Sequence, residues 1–336
     1  MQPVKVLVSG AAGNIGYAIL PMICKGEVFG PNQPIELVLL DITPCLPKLT
    51  GVVMELDDCA YPLLKNIIAT DDAMVAFKDV KFAFLIGGFP RLKGMVRKDL
   101  ISKNTAIFST QGKAIEAVAD KNIKVLVVAN PANTNALVCM ENCPSIPRKN
   151  FSAMTRLDYN RSRSLIARKI NATLNKEISC SEVKKPIIWG NHSDTQYPDV
   201  CHATVDGTPV RELIKDDEYW FGEYLKTVQL RGKAVIEARG ASSAFSAANA
   251  ACDHMHDWVL GSEEGNYVCM GVCSDNNKYG VPEGLIYSFP VTCKDGEWHY
   301  VEGLEINEKA RELMDLSAKE LQEEREAAME VLKAAN

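Results

Sequence analysis

Residues 3–17, PVKVLVSGAAGNIGY, decide how this chain is read. The first half, PVKVLVSG, is a β-branched and nearly unbroken apolar run, the pattern of a strand buried on both faces. Gly10, Gly13 and Gly16 follow in GxxGxxG spacing, and NIGYAILPMIC then has helical character. Glycine allows a tight turn and lets backbone amides approach a pyrophosphate at the helix N-terminus, where the dipole favours negative charge. Such turns are common, so the pattern is weak alone and its context carries the reading.

That context is consistent. IELVLLD (35–41), FAFLIGG (82–88) and KVLVVAN (124–130) are further buried runs, separated by helix-compatible segments such as KAIEAVADK. Parallel neighbours need crossover helices, so the alternation implies a doubly wound parallel sheet in an α/β fold. The second run ends in Asp41, where a carboxylate can accept hydrogen bonds from the adenosine ribose hydroxyls. The insert GEVFGPNQP accounts for a spacing beyond the usual ~20 residues. An acidic residue also ends many strands simply as a turn former. No lysine or arginine follows closely in DITPCLP, so a 2′-phosphate would be repelled, and NAD is expected over NADP. No Lys-Ser/Thr pair closes the glycine loop, which excludes a nucleotide triphosphatase P-loop.

Composition narrows the class. The chain has 336 residues, 47% of them apolar, enough for one large or two coupled domains. Net charge is −6 with scattered basic residues, so neither nucleic acid nor an anionic membrane is expected as partner. No apolar run reaches the ~18 residues of a membrane helix. The first strand starts by residue 3 or 4, leaving no room for a targeting peptide. The 11 cysteines are odd in number and lack CxxC spacing; neither CMENC (Cys139, Cys143) nor CMGVC (Cys269, Cys273) adjoins a histidine cluster. Buried free thiols in a reducing, cytoplasmic setting are expected, and no metal site.

After NPANTN (130–135) the pattern changes to α+β: a helical run NRSRSLIARKINATL, then KPIIWGNHSDTQYPDV, long helices around 216–260, and a strand pair around 266–273 and 284–301. The final helix is expected to open at the capping-box spacing Ser317-x-x-Glu320, with Leu321, Ala328 and Leu332 on one face. A boundary near residue 150 divides domains 1–150 and 151–336. LDYNR sets Asp158 and Arg161 three apart, on one face of a helix. His192, one of five histidines, ends a buried run in a loop; a lone histidine is more often structural than catalytic. Arg91 and Arg97 lie six apart in GGFPRLKGMVRKDL (87–100), a span of at most ~20 Å that lets a glycine-bearing loop fold both over one small anion.

GAAGNIGY, LLDITP, PRLKGMVRKDL, NPANTN, LDYNR, WGNHSDTQYPDV, YGVP and YSFPV follow one another in the order and spacing of a known family. From residue 4 to about 332 the chain resembles the NAD-dependent malate dehydrogenases, in particular the cytosolic-type branch of the lactate/malate dehydrogenase family. The resemblance implies a Rossmann-type NAD-binding domain, an α+β catalytic domain, and reversible oxidation of (S)-malate to oxaloacetate. By position it makes His192 the proton acceptor and Asp158 its partner. It makes Arg91, Arg97 and Arg161 the substrate arginines, with Asn130 between nicotinamide and substrate and Ser242 of ASSAFSAA also at the substrate. Cofactor contacts fall on Gly10, Ala11, Ala12, Gly13, Asn14, Ile15, Gly16, Asp41, Asn104, Gln111, Val128, Ala129 and Asn130. A cytoplasmic homodimer acting on a small dicarboxylate is implied as well.

The chemistry agrees with these roles. Histidine titrates near neutrality and can take the hydroxyl proton as hydride leaves the same carbon. A carboxylate behind it fixes the tautomer and stabilises the imidazolium. Arg161 suits a bidentate grip on the carboxylate beside the reacting carbon, and Arg97 suits the ketone oxygen, where negative charge develops. Arg91 is assigned the distal carboxylate, the charge that separates malate from lactate. Phe89 and Leu92 depart from the family, which has methionine and a basic residue there, and 175–186 reads as a longer surface segment. Rival readings are a dehydrogenase of another 2-hydroxy acid such as lactate, and an NAD-binding protein without turnover. A short-chain reductase needs Tyr-x-x-x-Lys beyond the midpoint of the sheet, and the match at Tyr61 and Lys65 comes too early.

Overall fold

The protein is described by a computed structural model covering residues 1–90 and 95–335. Its first half runs β1 (Val4–Ser9), α1 (Asn14–Cys24), β2 (Ile35–Leu40), α2 (Leu46–Asp58), β3 (Leu64–Thr70) and α3 (Ala73–Phe77). It continues through β4 (Phe82–Leu85), α4 (Arg97–Val118), β5 (Lys124–Val127), α5 (Ala132–Glu141) and β6 (Phe151–Ala153). These strands pair side by side in the order β3-β2-β1-β4-β5-β6, every pair parallel. This is the doubly wound sheet that the alternation implied. The order reverses between β1 and β4, so the glycine turn after β1 sits at the switch point, where ligands enter such sheets.

The second half is α+β, as expected. It comprises α6 (Arg156–Leu174), β7 (Val183–Lys184), β8 (Ile187–Trp189), β9 (Tyr197–Asp199), β10 (Thr204–Val205) and β11 (Thr208–Pro209). Then come α7 (Val210–Leu213), α8 (Asp217–Phe221), α9 (Glu223–Arg239), α10 (Phe245–Leu260), β12 (Val268–Cys273), β13 (Ile286–Lys294), β14 (Glu297–Tyr300) and α11 (Glu308–Ala335). The strand expected at 284–301 is two strands. Asp295 (φ 53°) and Gly296 (φ 77°) form the two-residue turn between them, a conformation that Asp-Gly favours.

Strands β12, β13 and β14 extend the main sheet antiparallel beyond β6, giving nine strands among the described residues. One apolar layer packs α1, α2, α6 and α10 against one face. The other packs α3, α4, α5 and α11 against the opposite face. Helix α5 is buried along nearly its whole length, and α4 and α11 both pack on it.

The final helix does not open at Ser317. It begins at Glu308, where the Asn307 side chain accepts a hydrogen bond from the Ala310 amide. Ser317 therefore lies in mid-helix and is fully buried. Spacing alone misplaced this start because the true cap, Asn307, ten residues upstream, lacks the Glu/Gln partner of a capping box. All eleven cysteines are unpaired among the described residues. Seven of them are buried: Cys24, Cys139, Cys143, Cys252, Cys269, Cys273 and Cys293.

Candidate active site

The dinucleotide end is built where β1 meets α1. Gly10 has φ +64°, and a Cβ there would lie 2.6 Å from the Gly87 Cα. A Cβ on Gly16 would come within 2.3 Å of the Gly10 carbonyl oxygen. Both positions therefore require glycine, which lets the chain turn this tightly. The Gly13 amide closes the turn on the Gly10 carbonyl at 2.9 Å. Gly13 is the N-cap of α1 and no side chain caps that helix, so its first amides remain open to a phosphate. Ala11 and Ala12 are buried, Ile15 is half-buried, and Gly13 and Asn14 are exposed.

Asp41 follows β2 directly and faces this turn: its Oδ2 accepts from the Ala12 amide at 2.9 Å, its Oδ1 from the Ile42 amide at 2.9 Å. Val128 and Ala129 both donate their amides to the Leu85 carbonyl, and Asn130 is exposed beyond them. Gln111 is buried in α4, and its Oε1 has no hydrogen-bond partner among the described residues. Asn104 is fully buried; Oδ1 accepts from the Phe89 amide at 2.9 Å, and Nδ2 donates to the Phe89 and Leu100 carbonyls. Its amide thus anchors the start of the arginine-bearing segment. The exposed glycine turn, the uncapped helix and the inward carboxylate fit a dinucleotide with a free ribose diol.

The chemical end forms where α6 meets the β8–β9 loop. Asp158 lies in the first turn of α6 and is 0% exposed. Its Oδ2 bonds His192 Nδ1, while its Oδ1 accepts from Arg161 Nη1 at 3.2 Å and Gln196 Nε2 at 3.3 Å. Burial alone would raise this carboxyl's pKa. His192, then Arg161 and Gln196, outweigh that and hold it below the ordinary value. With Nδ1 engaged, Nε2 is the histidine nitrogen left for substrate.

His254 is the contrasting case. It is buried in α10 with Nε2 on the Ser152 hydroxyl at 3.0 Å, and burial, with Arg156, lowers its pKa to about 3. It is a neutral core residue.

Arg161 is mostly buried; besides Asp158 it reaches the Ser243 hydroxyl at 3.4 Å, and a Cβ on Gly232 of α9 would lie 4.0 Å from both its terminal nitrogens. The hydroxyl at this arginine is thus that of Ser243. Ser242 is exposed, with its carbonyl on Arg239 at 2.7 Å. Arg91 lies outside the described residues, as does Leu92, and Arg97 is described in its backbone alone, as the first residue of α4.

Several further residues hold this site together without having been assigned a role from the sequence. Asn133 of α5 accepts the His192 amide on Oδ1 at 3.0 Å and donates to the Ile286 carbonyl at 2.9 Å. Gln196 braces Asp158. Gly190 bridges to Ser288 of β13 in both directions, tying the histidine loop to the main sheet. Asn133 stood within the quoted NPANTN and Gln196 within WGNHSDTQYPDV, so the signal was present without a role attached.

Comparison with known proteins agrees with this geometry along the whole chain. Residues 4–152 match the lactate/malate dehydrogenase NAD binding domain, and residues 155–332 match the lactate/malate dehydrogenase alpha/beta C-terminal domain. The cytoplasmic malate dehydrogenase of Gallus gallus is 56% identical over 338 residues, covering 99% of each chain. That of Medicago sativa is 55% identical, covering 97% of this chain and 98% of the relative. The crystal structure of malate dehydrogenase from Naegleria fowleri superposes with a TM-score of 0.94 at 43% identity, covering 98% and 99%. A Trichomonas vaginalis lactate dehydrogenase in complex with NADH and oxamate superposes at 0.93 with 36% identity, covering 98% and 99%. A dinucleotide turn, a buried Asp–His pair and matches spanning both halves lead to one conclusion: the chain belongs to the lactate/malate dehydrogenase family.

Proposed function

We propose that this chain is an NAD-dependent malate dehydrogenase that interconverts (S)-malate and oxaloacetate in the cytoplasm. The observation that carries the reading is the Asp158 carboxylate, which holds His192 on one oxygen and Arg161 on the other. NAD, when bound, supplies the hydride acceptor, and its reduced form the donor. Gly10 to Gly16 form its pyrophosphate cradle and Asp41 takes its ribose hydroxyls. His192 Nε2 removes the malate hydroxyl proton, and in reverse the imidazolium gives it to the ketone oxygen. Asp158 keeps a proton on Nδ1, so that the neutral ring presents a bare Nε2, and it stabilises the cation once formed.

Arg161, held by Asp158 and Ser243, grips the carboxylate next to the reacting carbon. Arg97 polarises the ketone oxygen and Arg91 takes the distal carboxylate; for these two the support is their place in the sequence. Asn104 and Gln111 line the cofactor side, with Asn130 and Ser242 toward the substrate.

The fold does not discriminate malate from lactate, since lactate dehydrogenases share it. Arg91 favours a dicarboxylate, because a monoanion leaves that cation without its partner. The names of the most similar relatives favour it too. The division into an NAD-binding domain, 1–150, and a catalytic domain, 151–336, is part of this reading. So is a homodimer. Phe245 is 76% exposed beside an open groove of about 420 Å³ lined by Leu157, Arg161, Arg168 and Arg231, a surface that a second copy would cover. Initial rates with oxaloacetate, pyruvate and 2-oxoglutarate, each with NADH and NADPH, test the assignment. Oxaloacetate with NADH should be the fastest pair by orders of magnitude; comparable turnover of pyruvate would overturn it.

A further inference from the structure

Ser317 and Glu320 stand one turn apart on α11, and both reach the loop that carries His192. The Ser317 hydroxyl accepts the Asn191 amide at 2.9 Å. Glu320 Oε1 accepts from the Ser193 hydroxyl at 3.0 Å, and its Oε2 takes the Thr195 hydroxyl. Within the loop, the Asn191 side chain donates to the Thr195 hydroxyl at 2.9 Å. Residues 191, 193 and 195 are thus bound to a single helix, on both sides of the histidine.

The fit is close as well as polar. Gly190 has φ +95°, and a Cβ there would sit 2.0 Å from the Ser317 hydroxyl oxygen. From the other side, Asn133 of α5 holds the His192 amide. The histidine backbone is therefore suspended between two helices, while its ring reaches a third, α6, through Asp158. Rotation of the backbone between residues 191 and 195 would swing the ring off both Asp158 and the substrate.

We propose that Ser317 and Glu320 are positioning residues for catalysis. On this reading the C-terminal helix clamps the histidine loop, so that His192 faces the reacting oxygen before substrate arrives. The inference rests on the malate dehydrogenase reading, and it adds an element more than 120 residues from the histidine in sequence. Misplacing a reacting group by about 1 Å costs up to ~100-fold in rate, so partial release of the loop should fall below that limit.

The test is a double-mutant cycle on the full-length protein with Thr195→Val, Glu320→Ala and their combination, with Glu320→Gln as the conservative variant. Readouts are kcat for oxaloacetate reduction, KM for NADH, the primary isotope effect with 4-deuterated NADH, and Tm. Each single change should lower kcat about tenfold. KM for NADH should stay within about twofold, and the isotope effect should rise as hydride transfer becomes slower. Because both changes remove the Thr195–Glu320 hydrogen bond, while each also removes a contact of its own, the double variant should lose less than the product of the two single losses. Glu320→Gln keeps one acceptor and should recover part of kcat; should Glu320→Ala fail to fold, it takes that place in the cycle. Wild-type kcat in the single variants overturns the clamp, as do losses that multiply or losses that only track the unfolded fraction. An inactive wild-type chain overturns the reaction itself, and the clamp with it.

Discussion

Replacing Asp158 with asparagine keeps the volume of a fully buried side chain and removes its charge. Three donors converge on that carboxylate: His192 Nδ1, Arg161 Nη1 and Gln196 Nε2. An asparagine amide offers one acceptor oxygen and one NH₂ group, so however it turns, a donor meets a donor. If the NH₂ faces His192, the neutral ring must place its own proton on Nε2, the wrong tautomer for accepting a proton from malate. In the reducing direction the ring must carry both protons, and the carboxylate that stabilised the cation is gone. At hydrogen-bond separation and an effective dielectric constant of about 20, a unit charge pair is worth roughly 5 kcal/mol. The same change in a Ser-His-Asp triad costs ~10⁴-fold. We therefore expect Asp158→Asn to lower kcat by about 10³- to 10⁴-fold, or roughly 4–5.5 kcal/mol of barrier, with KM for NADH little changed.

Loss of reduced-cofactor absorbance under saturating oxaloacetate measures this, alongside a thermal melt. A folded variant retaining more than a tenth of wild-type kcat would refute the reasoning. The same residue predicts a pH signature. Its carboxyl is held below the ordinary value of 3.8, so its contribution to stability is complete above that value and is lost as pH falls through the lowered one. Asparagine does not titrate. The Tm gap between wild type and variant should therefore narrow as pH drops from about 4 through the lowered value; a constant gap would contradict the lowering.

Three further changes probe other parts of the site. Gly190→Ala adds a Cβ 2.0 Å from the Ser317 hydroxyl at a positive φ and should cost about 2–4 kcal/mol of stability as well as activity; an unchanged melt and kcat would show that α11 yields easily. Asp41→Ser removes the repulsion of a 2′-phosphate and hydrogen bonds of ~1.5–3 kcal/mol to the ribose, so the NADPH/NADH ratio of kcat/KM should rise about 10- to 100-fold, and an unmoved ratio would place the ribose elsewhere. Arg91→Leu should reduce oxaloacetate turnover far more than pyruvate turnover, and equal losses would remove Arg91 from the distal carboxylate.

Much of this protein was legible locally. The glycine turn and the carboxylate after β2 are requirements of short segments: φ +64° at Gly10, a close approach at Gly16, an acid at a strand end. The parallel sheet followed from strand–helix alternation, because a crossover connection has one economical geometry. The Asp158–His192 pair is 34 residues apart in sequence and was readable only through the resemblance of whole motifs. Ser317-x-x-Glu320 looked like a helix start because a capping box and a mid-helix clamp have the same spacing. What separates them is whether the preceding turn is already helical, as it is from Glu308.

The sequence by itself determined the cofactor class, the order of the layers and which side chains could carry a proton, since these depend on backbone freedom, hydrophobic periodicity and intrinsic acidity. Only the tertiary structure decided what holds the histidine still: Asn133 from α5, Ser317 and Glu320 from α11, Gln196 against Asp158. Those contacts join segments up to 127 residues apart in sequence. The physical reason is that a buried hydroxyl, amide or carboxylate is satisfied by whichever donor or acceptor packing brings within hydrogen-bond reach, and its own neighbours in the chain carry no record of that partner.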